Sequence, residues 1–153
     1  MKPGSAGPPK IYLGAKISNI QFPNGVEAYA VINNQYAQEA AKNIEQHLTA
    51  KIMRLNRGGM APLSPGYCPE LDANPELELQ DATYYQSLIG ILRWMVEMGR
   101  IDITWKVSMM SSFVAMTCEG HLQQLLHLFA YLKYHHNARI AFDPSYPAID
   151  SEQ

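Results

Sequence analysis

Cysteine is scarce in this chain and neither sign of charge dominates it. Cys68 and Cys118 stand alone in 153 residues, too few and too far apart for a disulfide framework or a sequence-local zinc motif. Both read as free thiols of a reducing compartment. Charged residues make up 17%, with a net charge of -2, so bulk charge marks neither a nucleic-acid nor a membrane partner. No apolar run approaches the roughly 18 residues of a membrane span. MKPGSAGPPK contains no signal-peptide core. The expectation is an intracellular protein, cytoplasmic or nuclear, with no membrane partner.

Catalytic patterns are missing as well. Gly58-Gly59 lacks the Lys-Ser/Thr that completes a phosphate loop. The acids Glu70, Asp72, Glu76, Glu78 and Asp81 do not follow the spacing of a calcium loop. His121, His127, His135 and His136 contain no His-x-x-x-His pair, the spacing that puts two ligands on one helix face. No metal and no cofactor is read from these spacings. Neither cysteine is read with a histidine beside it to activate it. Glu97 and Asp102 resemble an acid/base pair, yet Arg93 stands one turn before Glu97 and Asp102 suits a helix N-cap. No catalytic residue is assigned.

What is present is periodicity. At 47% hydrophobic residues the chain has the material for one core. Residues 1–10 read as a disordered tail and 11–150 as a single domain. IYLGAKISNIQF and VEAYAVI flank Pro23-Asn24-Gly25, a strong hairpin signal covering 11–32. Asn33 or Asn34 caps an amphipathic helix running to about Ala50, with Tyr36, Ala37, Ala40, Ala41, Ile44, His47 and Leu48 on its apolar side. A basic stretch, Lys51, Arg54 and Arg57, ends this segment at 57. Residues 58–82 read as a proline-rich acidic loop. From Thr83 a central helix places Tyr85, Leu88, Ile89, Leu92, Val96 and Gly99 on one stripe, with Ile91, Trp94 and Met98 opposite. Apolar nearly all round, it calls for cover on two sides, and Gly99 ends it. Asp102 and Thr117 read as caps of two further helices, the last with Leu122, Leu125, Leu126, Phe129 and Leu132 as its stripe. Lys133, His135 and His136 suit its C-terminal end, and Asn137 stops it. Arg139–Asp143 forms a short strand. The fold class is α+β, mainly helical: an N-terminal hairpin, then a bundle of about four helices. Its expected core includes Tyr85, Leu88, Ile89, Leu92, Trp94, Leu122, Leu125 and Phe129. The basic residues Lys51, Arg54, Arg57, Lys133 and Arg139 are the candidate phosphate contacts. Trp94 and the tyrosines suit base stacking, although aromatics at helical spacing belong first to a core.

The tract YYQSLIGILRWMVEMGRIDI (84–103) resembles the Y-Q-x-L-I-G … R-x-D-I tract of copia-type LTR retrotransposon Pol polyproteins, in their reverse transcriptase region. IYLGAKI resembles the family's Tyr-Leu-Gly strand after the palm, NNQYAQEAAKNIEQHL its Gln-x-x-Tyr helix, and HLQQLLHLFAYLKYHHNARIAFD its Tyr-Leu-Lys stretch before RNase H. The resemblance covers roughly Ile11 to Asp150. It implies the end of the palm followed, over 83–143, by thumb and connection, which help hold the primer–template duplex. Ile101 stands where the family has proline. No adjacent Asp-Asp occurs in the sequence, and residues 1–10 match nothing in the family. The resemblance thus implies a non-catalytic fragment of an RNA-directed DNA polymerase, without the palm's Asp-Asp or the RNase H carboxylates. Its expected partners are an RNA/DNA duplex through the basic strip, the rest of Pol, or a second copy. The alternatives are a stand-alone interaction module or the thumb subunit of a split polymerase whose palm is on another chain.

Overall fold

The computed structural model describes residues 10–12, 15–50, 54–55 and 59–145. The expected disordered tail and two of the candidate phosphate contacts, Lys51 and Arg57, lie outside them, apart from Lys10. The described chain is α+β and mainly helical. Strands β1 (Ile11–Tyr12), β2 (Ala15–Gln21) and β3 (Glu27–Ile32) precede helices α1 (Asn34–Ala50), α2 (Leu79–Glu97), α3 (Thr104–Ser111) and α4 (Glu119–Tyr134), and β4 (Arg139–Phe142) follows.

The hairpin forms where Asn-Gly predicts it. Gly25 donates to the Phe22 carbonyl, Phe22 to that of Val26, and the Asn24 side chain accepts from the Val26 amide. These bonds set the register Gln21↔Glu27 through Lys16↔Ile32. The hairpin is not left alone. β4 returns to the far side of β3, pairing Tyr29 with Phe142 and Ile32 with Arg139, so the antiparallel order is β1-β2-β3-β4. Alternation along β3 buries Ala28 and Ala30 and turns Tyr29 outward.

Helix α1 buries Ala37, Ala40, Ala41, Ile44 and Leu48 and packs on α4, the three alanines being small enough to admit a close neighbour. Helix α2 begins at Leu79, four residues before its expected start, and buries Tyr85, Leu88, Ile89, Leu92 and Met95. These join Ile103, Val107, Met110, Leu125, Leu128, Phe129 and Leu132 in one core. Cover of the second apolar side of α2 is partial: Ile91 packs partly buried against the core and Met98 is buried, while Trp94 is not. Gln86, Ser87, Gly90, Arg93, Trp94 and Glu97 are exposed, and Trp94, expected in the core, is 39% exposed. The buried stripe runs 85, 88, 92, 95, so it drifts to Met95 rather than Val96. Trp94, one residue and about 100° away, falls on its rim. Leu122 is only partly buried against the core.

Both expected caps are displaced. Asp102 lies in a short 3₁₀ turn, Ile101–Ile103, and Ile103 precedes α3. Cys118, not Thr117, is the N-cap of α4. The acidic loop is stitched to α4 instead of covering α2. Leu77 donates to the Thr117 carbonyl, Glu119 to that of Pro75, and Ser64 to the Gln124 side chain. Leu63 and Pro69 are buried by this path.

Candidate functional site

Of the candidate phosphate contacts, Arg54 and Arg139 are exposed. Lys133 reaches across to α1, where its amine lies 2.6 Å from a Glu45 carboxylate oxygen. That ion pair raises the Lys133 pKa, with burial opposing it weakly, and occupies the charge.

The imagined acid/base pair is replaced by a structural ion pair. Arg100 is fully buried. Its Nε and one terminal nitrogen donate to the two Asp102 oxygens at 2.8 and 2.7 Å, and the other terminal nitrogen, Nη1, has no hydrogen-bond partner among the described residues. Burial raises the Asp102 carboxyl, but the hydrogen bonds and charge of Arg100 outweigh it and hold its pKa below the ordinary value. Tyr131 of α4 donates to the same carboxylate at 3.4 Å. Glu97 is exposed on α2. This turn therefore clamps the α2–α3 corner to α4.

A second cluster was missed by spacing, because its members come from two segments. Asp72 follows the 3₁₀ turn Pro69–Leu71, while Cys118 and His121 open α4. One potential ligand atom from each lies within 4.8 Å of the other two. Cys118 and His121 form a capping box: the sulfur accepts from the His121 amide, and His121 Nδ1 accepts from the Cys118 amide at 3.2 Å. The other ring nitrogen lies 3.1 Å from the Pro69 carbonyl. A carbonyl only accepts, so Nε2 carries the proton and Nδ1 the lone pair. Asp72 accepts from Tyr67 Oη at 2.6 Å and from both the amide and side chain of Asn74. Burial raises its carboxyl, yet these bonds bring the pKa down to about 2. The Cys118 thiol is pushed up, first by burial and then by its contact with Asp72. Gly120 makes the approach possible, since a Cβ there would lie 1.9 Å from Asp72 Oδ2. The legible signal was Cys-x-x-His at a helix start. The third member, 46 residues upstream, was not legible.

An open cleft is lined by Leu48, Leu77, Tyr84, Leu122 and Leu126 with Glu76, Glu78, Asp81 and Glu119 around it, and no lysine or arginine lines it among the described residues. A shallower apolar depression joins α2 to the sheet through Val31, Trp94, Met98, Ile140 and Phe142. Among the described residues no helix is long and apolar enough to cross a membrane.

No family model and no solved structure matches the chain. Over 71 residues, 46% of its length, the chain is 34% identical to a retrovirus-related Pol polyprotein from transposon RE1 of Arabidopsis thaliana. The match spans about 5% of that polyprotein. The chain is therefore similar, over under half its length, to a small part of a retrotransposon Pol polyprotein.

Proposed function

We propose that this chain corresponds to the thumb and connection of a copia-type reverse transcriptase, a segment that holds a primer–template duplex and does no chemistry itself. The observation that carries the reading is the 34% identity over 71 residues to a Pol polyprotein. The order of elements supports it. The segment 34–48 that resembles the family's Gln-x-x-Tyr helix lies in α1, with Asn33 at the position of the glutamine. The Leu-Ile-Gly tract lies in α2, the Arg-x-Asp-Ile turn after it, and Tyr-Leu-Lys near the end of α4. Phosphoryl transfer needs carboxylates arranged around metal ions. Here Asp102 is bound by Arg100, and Asp72 by Tyr67 and Asn74, structural contacts in keeping with a holding role.

Duplex contact on this reading is electrostatic, through Lys51, Arg54, Arg57 and Arg139, with Lys133 largely committed to Glu45. Four phosphate contacts lose affinity by about 150-fold between ~50 and ~200 mM salt, from a slope near -0.9 per contact. Fluorescence anisotropy with a labelled RNA–DNA primer–template measures this. Arg54→Ala and Arg139→Ala should each lower the slope by about one. Absence of binding at low salt, or binding indifferent to salt, overturns the proposal.

A second reading, self-association or capture of a partner strand, is favoured by one observation. β4 is an edge strand whose Phe142 is exposed beside Tyr29 and Trp94, an unprotected apolar edge of the kind that pairs. Light scattering decides it, and a strict monomer at ~100 μM counts against it.

A further inference from the structure

We propose that Asp72, Cys118 and His121 form a binding site for a thiophilic divalent cation of the zinc class, which staples the acidic loop to the start of α4. This does not depend on the reading of function above. The donor set is one sulfur, one imidazole nitrogen and one carboxylate oxygen, the combination zinc accepts at about 2.3, 2.0 and 2.0–2.2 Å. Tetrahedral ligands at those lengths stand about 3.3–3.8 Å apart. The present atoms, within 4.8 Å of one another, need close by only about 1 Å.

The surrounding hydrogen bonds argue further for a metal site than the distances do. A ligating imidazole commonly donates its other N–H to a carbonyl, and a ligating carboxylate is itself hydrogen-bonded. His121 Nε2–H already donates to the Pro69 carbonyl, so Nδ1 carries the lone pair, which in this structure accepts the Cys118 backbone N–H at 3.2 Å. Asp72 already accepts from Tyr67 and Asn74. The Cys118 sulfur accepts backbone amides at the N-terminus of a 16-residue helix, donors that remain to support the thiolate a cation would create there. They act against the burial and the Asp72 carboxylate that favour the thiol while no cation is bound. Two contacts must be surrendered: the weak Cys118 amide bond to Nδ1, and the thiol's hydrogen bond to Asp72. Binding releases the thiol proton to solvent and leaves a thiolate and a carboxylate against two positive charges. The buried cluster is then neutral, which lowers the cost of its burial. Because the ligands come from segments 46 residues apart, the cation's binding energy adds directly to folding.

The full chain carrying Cys68→Ser, reduced and metal-free, is titrated with Co²⁺ and then Zn²⁺. The exposed Cys68 is thereby removed as a competing thiol. A cobalt–thiolate charge-transfer band saturating at one equivalent, displaced by zinc and accompanied by a rise in Tm, is the expected result. Cys118→Ser keeps a good helix N-cap and so stays folded, but should abolish both the band and the zinc-dependent rise. Tyr67→Phe, which removes a bond to the ligating carboxylate, should weaken binding about tenfold or more. A missing band, or one unchanged in Cys118→Ser, overturns the proposal. So does substoichiometric binding in the folded protein.

Discussion

Arg100 and Asp102 show what a single pair can decide. Arg100 is fully buried with Nη1 lacking a partner among the described residues, so within them its charge rests on one carboxylate. Removing one partner of such a pair leaves an uncompensated buried charge and costs roughly 3–5 kcal/mol, while an apolar replacement of similar volume is often neutral. Asp102→Asn should therefore cost about 3 kcal/mol in urea denaturation, the lower end because Asp102 is partly in water. Arg100→Met should cost under about 1 kcal/mol. Equal losses for the two variants would sink this account. The pH dependence has a definite sign. A carboxyl with a depressed folded pKa lends stability above its unfolded value, near 3.8, and loses it as pH falls through the lower folded value. The stability gap between wild type and Asp102→Asn should hold down to about pH 4 and narrow below it, as urea midpoints at successive pH values will show. None of this was legible in Arg-Ile-Asp-Ile. A helix-cap role for Asp102 fits the same letters, and only the turn of the chain brings the guanidinium under the carboxylate.

At the scale of elements, α2 organises the core through its contacts with its neighbours. Tyr85 is buried and donates its hydroxyl to the Met110 carbonyl of α3 at 2.7 Å. Tyr85→Phe removes that bond while the Phe113 amide still donates to the carbonyl at 3.3 Å, and should cost about 1 kcal/mol by thermal or urea unfolding. Gly99 closes the helix at φ 107°, and a Cβ there would meet Ile140 Cδ1 of β4 at 3.1 Å. Two effects compete in Gly99→Ala. The positive φ costs about 1–3 kcal/mol for a side-chain-bearing residue, whereas the Ile140 methyl can move aside. Gly99→Ala should be destabilising by that amount, and adding Ile140→Val should not rescue it. Rescue would show that the contact, not the backbone, governs. Helix positions and the Gly99 stop were readable because period 3.6 and a terminal glycine are local signals. The cap of α4 was misread because Thr117, the residue type that usually caps, stands directly before Cys118, which does so here. The choice between them follows from the His121 ring closing on the Cys118 amide.

For the whole molecule, the sheet is what the chain order does not disclose. β4, from the far end of the chain, covers β3 and becomes the edge itself. Phe142→Lys places a charge beside that edge and should abolish any self-association seen by light scattering without lowering Tm, since Phe142 is 57% exposed. Persistent association in this variant would move the contact elsewhere. By itself the sequence determined the hairpin, the mainly helical α+β class, most of the buried stripe of α2, and the resemblance to retrotransposon Pol. All of these rest on contacts within a turn or two of chain, or on residue order. Tertiary structure alone decided that Trp94 lies at a rim, that Lys133 is spent on Glu45, and that Arg100 is buried. It also brought Asp72 to Cys118 and His121. Each of these depends on segments tens of residues apart meeting in space, where burial and charge are set by neighbours that local periodicity does not encode.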